Sequence, residues 1–157
     1  MPKITPCLWF DHQAEEAARF YVSIFKNSKV GAITRYPKNT PGPEGAVMTV
    51  TFTLDGQEFM GLNGGPIYKF TPAVSLMVMC KTQKEIDRMW AKLSEGGQEV
   101  ECGWVTDKYG LSWQIVPAGL MKMITKSPAH CQRVMAEVLK MKKLDIKTLE
   151  KAAARKS

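Results

Sequence analysis

The sequence predicts an α+β protein built from two tandem β-α-β-β-β modules and a helical tail. Three observations carry this reading. The same succession of apolar patterns occurs twice, over about residues 1–66 and 73–118. In each half an aspartate-to-glycine turn precedes the last strand: Asp55-Gly56 in the first, Asp107-Lys108-Tyr109-Gly110 in the second. After Gly119 the strand patterns stop and apolar residues recur at helical spacing. With 157 residues, 45% of them hydrophobic, the chain can bury a proper core. Residues 1–118 read as one domain of paired modules, and 119–157 as a basic helical extension.

In the first half, Ile4 to Phe10 is a short strand, with Pro6 near its start and Asp11-His12 at its end. Gln13 to Phe25 is a helix: Ala17, Phe20, Tyr21 and Ile24 fall on one face, and Glu15 and Glu16 suit the positive end of its dipole. Val30 to Tyr36 is a strand. Pro37 to Gly45, rich in proline and glycine, is a loop. Ala46 to Leu54 and Gln57 to Asn63 form a hairpin around Asp55-Gly56, and Gly64-Gly65-Pro66 stops the second strand.

The second half follows the same order. Ala73 to Cys80 is an apolar strand. Thr82 with Glu85 is a capping box, and the helix runs to about Glu95 with Ile86, Met89, Trp90 and Leu93 on its buried face. Gly96-Gly97 ends it. Gln98 to Cys102, Gly103 to Thr106 and Leu111 to Pro117 supply three strands, with Gly110 free to take a positive φ in the turn between the last two. The repeat shows at residue level where Glu16-Ala17-Ala18-Arg19-Phe20-Tyr21 aligns with Glu85-Ile86-Asp87-Arg88-Met89-Trp90. In the tail, Ser127-Pro128 opens a helix striped with Cys131, Val134, Met135, Val138, Leu139 and Met141. Asp145 caps a last one carrying Ile146, Leu149 and Ala153.

The net charge of +7 is uneven. Residues 1–118 carry twelve basic and twelve acidic side chains; residues 119–157 carry ten basic and three acidic. The tail lacks the interleaved aromatics of a stacking platform and any recognised DNA-binding motif. Its charge therefore reads as a solvated helix face, and nucleic acid is disfavoured as a partner. No apolar run reaches the roughly 20 residues of a membrane span, and the N-terminus shows no apolar signal region, so the expected setting is the cytoplasm with no membrane partner. The dispersed cysteines fit free thiols: Cys7 and Cys80 as packing residues, Cys102 as the more reactive one.

The order of these elements, together with particular segments, resembles the vicinal oxygen chelate superfamily, and within it the PhnB-like family often labelled 3-demethylubiquinone-9 3-methyltransferase. The segments are Leu8-Trp9-Phe10-Asp11, Ala14-Glu15-Glu16-Ala17 with Phe20-Tyr21, Thr82-Gln83 through Trp90, and Cys102-Gly103-Trp104 through Asp107 to Pro117. The tail stretch Gln132 to Ile146 also fits. The resemblance implies the glyoxalase/bleomycin resistance/dioxygenase fold, in which each module forms half of a curved mixed sheet and paired halves make a cup. It also implies a homodimer.

Metal-dependent members place His, Gln or Glu in four slots. By resemblance these fall on Thr5 (or Pro6), Met60, Ser75 and Gln114. Only Gln114 is a ligand type, Asn63 lies three residues from its slot, and His12 and His130 occupy none. A divalent metal is therefore disfavoured, and no cofactor is expected. S-adenosylmethionine, implied by the family label, has no G-x-G-x-x-G and no glycine turn opening a helix to support it. What remains is a cup lined by Cys7, Trp9, Met60, Ser75, Met77, Met79, Cys102, Trp104, Ser112 and Gln114, suited to an apolar small molecule with one or two hydrogen-bonding points. Three functions stay open: a metal-independent small-molecule binder, an enzyme of the same superfamily (metal-assisted or the labelled methyltransferase), and an interaction module acting through the basic tail.

Overall fold

Two runs of alternating apolar residues, each with one amphipathic helix, fold into two sheets of the same connectivity. The computed structural model describes residues 3–156 and divides into two compact units, one ending at Phe70 and one beginning at Thr71.

The first unit contains β1 (Cys7–Phe10), α1 (Ala14–Ile24), β2 (Lys29–Arg35), β3 (Val47–Leu54) and β4 (Gln57–Asn63). Its sheet runs β1-β4-β3-β2, with β1 parallel to β4 and the other pairs antiparallel. Alternation sends Leu8, Phe10, Val50, Phe52, Leu54 and Phe59 into a core with Ala17, Ala18, Tyr21 and Ile24 of α1. Phe52 stacks on Phe59 with ring centroids 5.4 Å apart. The first strand begins at Cys7 rather than Ile4, which is 82% exposed; Pro6 lacks an N–H for the ladder. The Gln13 side chain makes no cap for α1. Asn63 of β4 caps it instead, its Oδ1 accepting the Ala14 N–H at 2.8 Å.

The second unit contains β5 (Ser75–Cys80), α2 (Gln83–Ser94), β6 (Gln98–Glu99), β7 (Trp104–Thr106) and β8 (Ser112–Pro117), in the order β5-β8-β7-β6. Again the first strand lies parallel to the last. The duplicated reading of the sequence is thus a duplicated topology: two tandem β-α-β-β-β modules, each forming a mixed sheet. Thr82 caps α2 as expected, accepting the Glu85 N–H at 3.1 Å. The return bond of the capping box is displaced by one residue, since Glu85 Oε2 accepts from Lys81 N–H at 2.8 Å. Strand β6 is shorter than predicted, because Cys102 takes a φ of 63° and the chain turns there.

The tail forms α3 (Leu120–Thr125), α4 (Pro128–Val138) and α5 (Ile146–Ala154). Ser127 and Asp145 cap α4 and α5 through His130 N–H and Thr148 N–H, as their positions predicted. Helix α3, six residues long, is too short to show a period and was not expected. The tail packs into the second unit. Val116, Leu120, Val134, Val138, Leu144, Leu149 and Ala152 make one buried cluster. The backbone N–H groups of Cys102 and Gly103 donate to Met141 and Lys142 carbonyls. Gln83 ties the tail to α2, donating to Leu144 O and accepting from Ile146 N–H. No helix among the described residues is long and apolar enough to cross a membrane.

Candidate functional site

In each unit the helix covers one face of the sheet, and the residues predicted to bind a ligand gather on the other. On β8, Trp113, Ile115 and Pro117 alternate with Ser112, Gln114 and Val116. Trp113 and Ile115 belong to the side packed under α2, so Gln114 points the opposite way. Register then fixes its neighbours. Met77 of β5 and Trp104 of β7 lie directly across from Gln114 on either side. Its amide Nε2–H donates to Ser75 Oγ at 3.0 Å. Met77 and Met79 are 43% and 60% exposed, leaving two thioether side chains open beside a half-buried amide. Ser112 is on the same face, paired with Ser75 and Thr106, and is buried. Val116, next on that face, is buried in the tail cluster, so the helices after Gly119 bound this surface at one end.

The first unit has a matching face. Cys7 and Trp9 alternate with buried Leu8 and Phe10, and pair in register with Met60 and Leu62. The Trp9 ring is held from three sides. Its Nε1–H donates to Gly65 O at 2.9 Å, Tyr68 meets it edge to face at 5.0 Å, and Gly64 lies so close that a Cβ there would meet the ring at 2.2 Å. Glycine is required at 64 for this approach. The sequence marked Gly64-Gly65 only as a stop signal; that the same residues seat a tryptophan, and that Tyr68 joins it, depended on chain reversal in space.

All the predicted lining residues except Cys102 therefore fall on one of these two faces. Cys102 sits in the turn between β6 and β7, packed against the tail cluster and not beside Gln114. Cys7 is exposed rather than packed, because it begins an edge strand on the face away from α1, whereas Cys80 is buried as expected. Neither is a poised thiolate: partial desolvation of its sulfur by neighbouring atoms pushes the Cys7 thiol up, and burial with the nearby Glu85 carboxylate pushes Cys80 to about 12.

The model of the family described as 3-demethylubiquinone-9 3-methyltransferase matches residues 2–116. The chain belongs to this family. It is 44% identical to a Bacillus cereus protein described provisionally as a 3-demethylubiquinone-9 3-methyltransferase, PhnB, over 73% of this chain and 99% of that one, with a TM-score of 0.67. A Pseudomonas aeruginosa protein, PA1353, shares the fold at 19% identity, with a TM-score of 0.61 over 74% of this chain and 98% of that one. No curated protein matches the chain.

Membership in the 3-demethylubiquinone-9 3-methyltransferase family raises two bound groups to test against the residues. A divalent ion would need donors at the four slots. Gln114 gives its Nε2–H to Ser75 and keeps one amide oxygen as a donor, Met60 offers a thioether, and Pro6 contributes its carbonyl to the Met60 N–H. Among the described residues, no three His, Cys, Asp or Glu side chains gather where a metal could be held. Asn63, near its slot, is committed to Ala14 N–H and to Val47 O. His12 lies exposed beside Asp11, and His130 belongs to α4. For S-adenosylmethionine the usual cradle is a glycine turn at a helix N-terminus. Here α1 and α2 start from Gln13 and Thr82; the Ala14 N–H of α1 goes to Asn63, and the Glu85 N–H in the first turn of α2 goes to Thr82. Beyond the Gln114 amide oxygen the four slots offer a thioether and a serine hydroxyl, and neither α1 nor α2 opens on a glycine turn. What the residues present offer is aromatic and thioether surface with a few fixed polar atoms, the chemistry of a small-molecule site.

Proposed function

We propose that this protein binds an apolar small molecule against the Gln114 face, without a tightly held catalytic metal or other cofactor. The cup implied by the family resemblance, closed in a homodimer, belongs to the same proposal. One observation carries it: a half-buried amide set in register between Met77 and Trp104 and hydrogen-bonded to Ser75, with open methionines alongside. Gln114 Nε2 has a partner, and its carbonyl oxygen can accept from a ligand. Met77 and Met79 supply adaptable apolar contact, since thioethers adjust to the shape they meet. Exposed large apolar side chains clustered on one face mark a binding surface more often than chance.

The family's description makes a quinone the first ligand to try. A water-soluble short-chain benzoquinone titrated into the protein should quench tryptophan fluorescence saturably, and Gln114→Leu should weaken binding about tenfold, roughly 1.4 kcal/mol for one lost hydrogen bond. Uptake of one equivalent of manganese, nickel, iron or zinc per chain would overturn the metal-free part. A flat titration across a panel of quinones and other aromatics would overturn the binding role. Sedimentation equilibrium decides the dimer.

A further inference from the structure

Two of the tail's ten basic side chains, Lys122 and Lys126, border one concavity. Between α3, α4 and α5 lies a groove of about 270 Å³, lined by Gly119, Lys122, Met123, Lys126, His130 and Ala153. Its cations are two lysines, no carboxylate is among its lining residues, and its floor is methionine and alanine. Beside it, the Ser127 Oγ accepts the His130 backbone N–H at 3.1 Å and lies 2.7 Å from His130 Nδ1. The serine hydroxyl hydrogen is free to go to Nδ1, which leaves the ring proton on Nε2 as a further donor. Desolvation, and after it the charges of Lys126 and Arg133, hold the imidazole below its usual pKa.

We propose that this groove binds a small amphipathic oxyanion, a carboxylate or phosphate carried on a short apolar stem. Lys122, Lys126 and the His130 Nε2–H supply charge and a donor to the oxyanion, and Met123 and Ala153 receive the stem. Both lysines are exposed at the rim of a concave apolar surface, their charges free to meet an anion whose stem lies against Met123 and Ala153. The volume falls just below the usual range of drug-sized pockets, which sets the ligand at about the size of a medium-chain carboxylate. The groove is formed wholly by residues after 118, beyond the stretch matched by the family model, and shares no residue with the Gln114 face.

The test uses the full chain and three probes: octanoate, inorganic phosphate, and vesicles of anionic phospholipid. Octanoate should bind saturably at one per chain, shifting the NMR signals of the Met123 and Ala153 methyls and the His130 ring while leaving Trp104 and Met77 unmoved. The double variant Lys122→Ala/Lys126→Ala should weaken it at least about tenfold, and Ala153→Met should block it by filling the floor, both with unchanged unfolding midpoints. Four results would each overturn the proposal: no saturable binding; phosphate competing as well as octanoate, which leaves an unspecific cation patch; binding to vesicles alone, which makes the tail a membrane-surface element; or shifts at Trp104 instead, which assigns octanoate to the other face.

Discussion

Asp107 accepts the indole N–H of Trp113 at 2.8 Å. Its other carboxylate oxygen accepts the backbone N–H groups of Tyr109 and Leu111, at 2.8 and 3.1 Å. One buried carboxylate thus closes the turn into β8 and pins Trp113 on the α2 side, and strand alternation then delivers Gln114 to the opposite face. Gly110 completes the turn with a φ of 89°, which suits glycine.

Asp107→Ala should therefore destabilise the fold by about 3 kcal/mol, since it strands an indole N–H and two backbone N–H groups away from water. The unfolding midpoint in urea reads this directly. Trp113→Phe removes only one of those donors and should cost less.

Gly64→Ala should disturb the first unit's face without touching its core. A methyl there overlaps the Trp9 ring, so the ring must leave Gly65 O and Tyr68. A red shift in tryptophan emission with little change in helical circular dichroism is the expected signature.

Leu144→Ala should cost about 2–5 kcal/mol, the range for a leucine fully buried in a packed cluster. Because the tail belongs to the second unit, the loss should show as one cooperative transition of that unit. Early melting of α4 and α5 alone, followed by hydrogen exchange, would contradict this.

Acid should weaken the same region. The Thr148 backbone and hydroxyl hold the Asp145 carboxyl below its ordinary range, and Gln83 and Lys143 do the same for Asp87. Such carboxylates take up protons more readily in the unfolded chain, so their stabilisation is present above the unfolded pKa and is lost as pH falls through the folded one. Unfolding midpoints should fall below about pH 4, and Asp145→Ala should flatten that dependence while removing about 1 kcal/mol at neutral pH as a lost helix cap.

Native-state alkylation should distinguish the cysteines. Cys7 is exposed, whereas Cys80 is buried with its thiol at about 12. Iodoacetamide at neutral pH should label Cys7 and spare Cys80 until the protein is unfolded, as peptide mass mapping would show.

The sequence by itself determined what depends on near neighbours along the chain. The order of strands and helices in the two modules, the Asp55-Gly56 and Asp107–Gly110 turns, the caps at Thr82, Ser127 and Asp145, and the shared face of Ser75, Met77, Ser112 and Gln114 were legible, because turn chemistry, capping and the two-residue strand period are local. Only the tertiary structure decided what depends on residues distant in sequence. That Asn63 caps α1, that Gly64 and Tyr68 seat Trp9, that Cys102 turns away toward the tail, and that Ala153 of α5 closes a groove with Lys122, Lys126 and His130 all follow from packing, which pairs side chains by position in space and leaves no spacing in the chain to read.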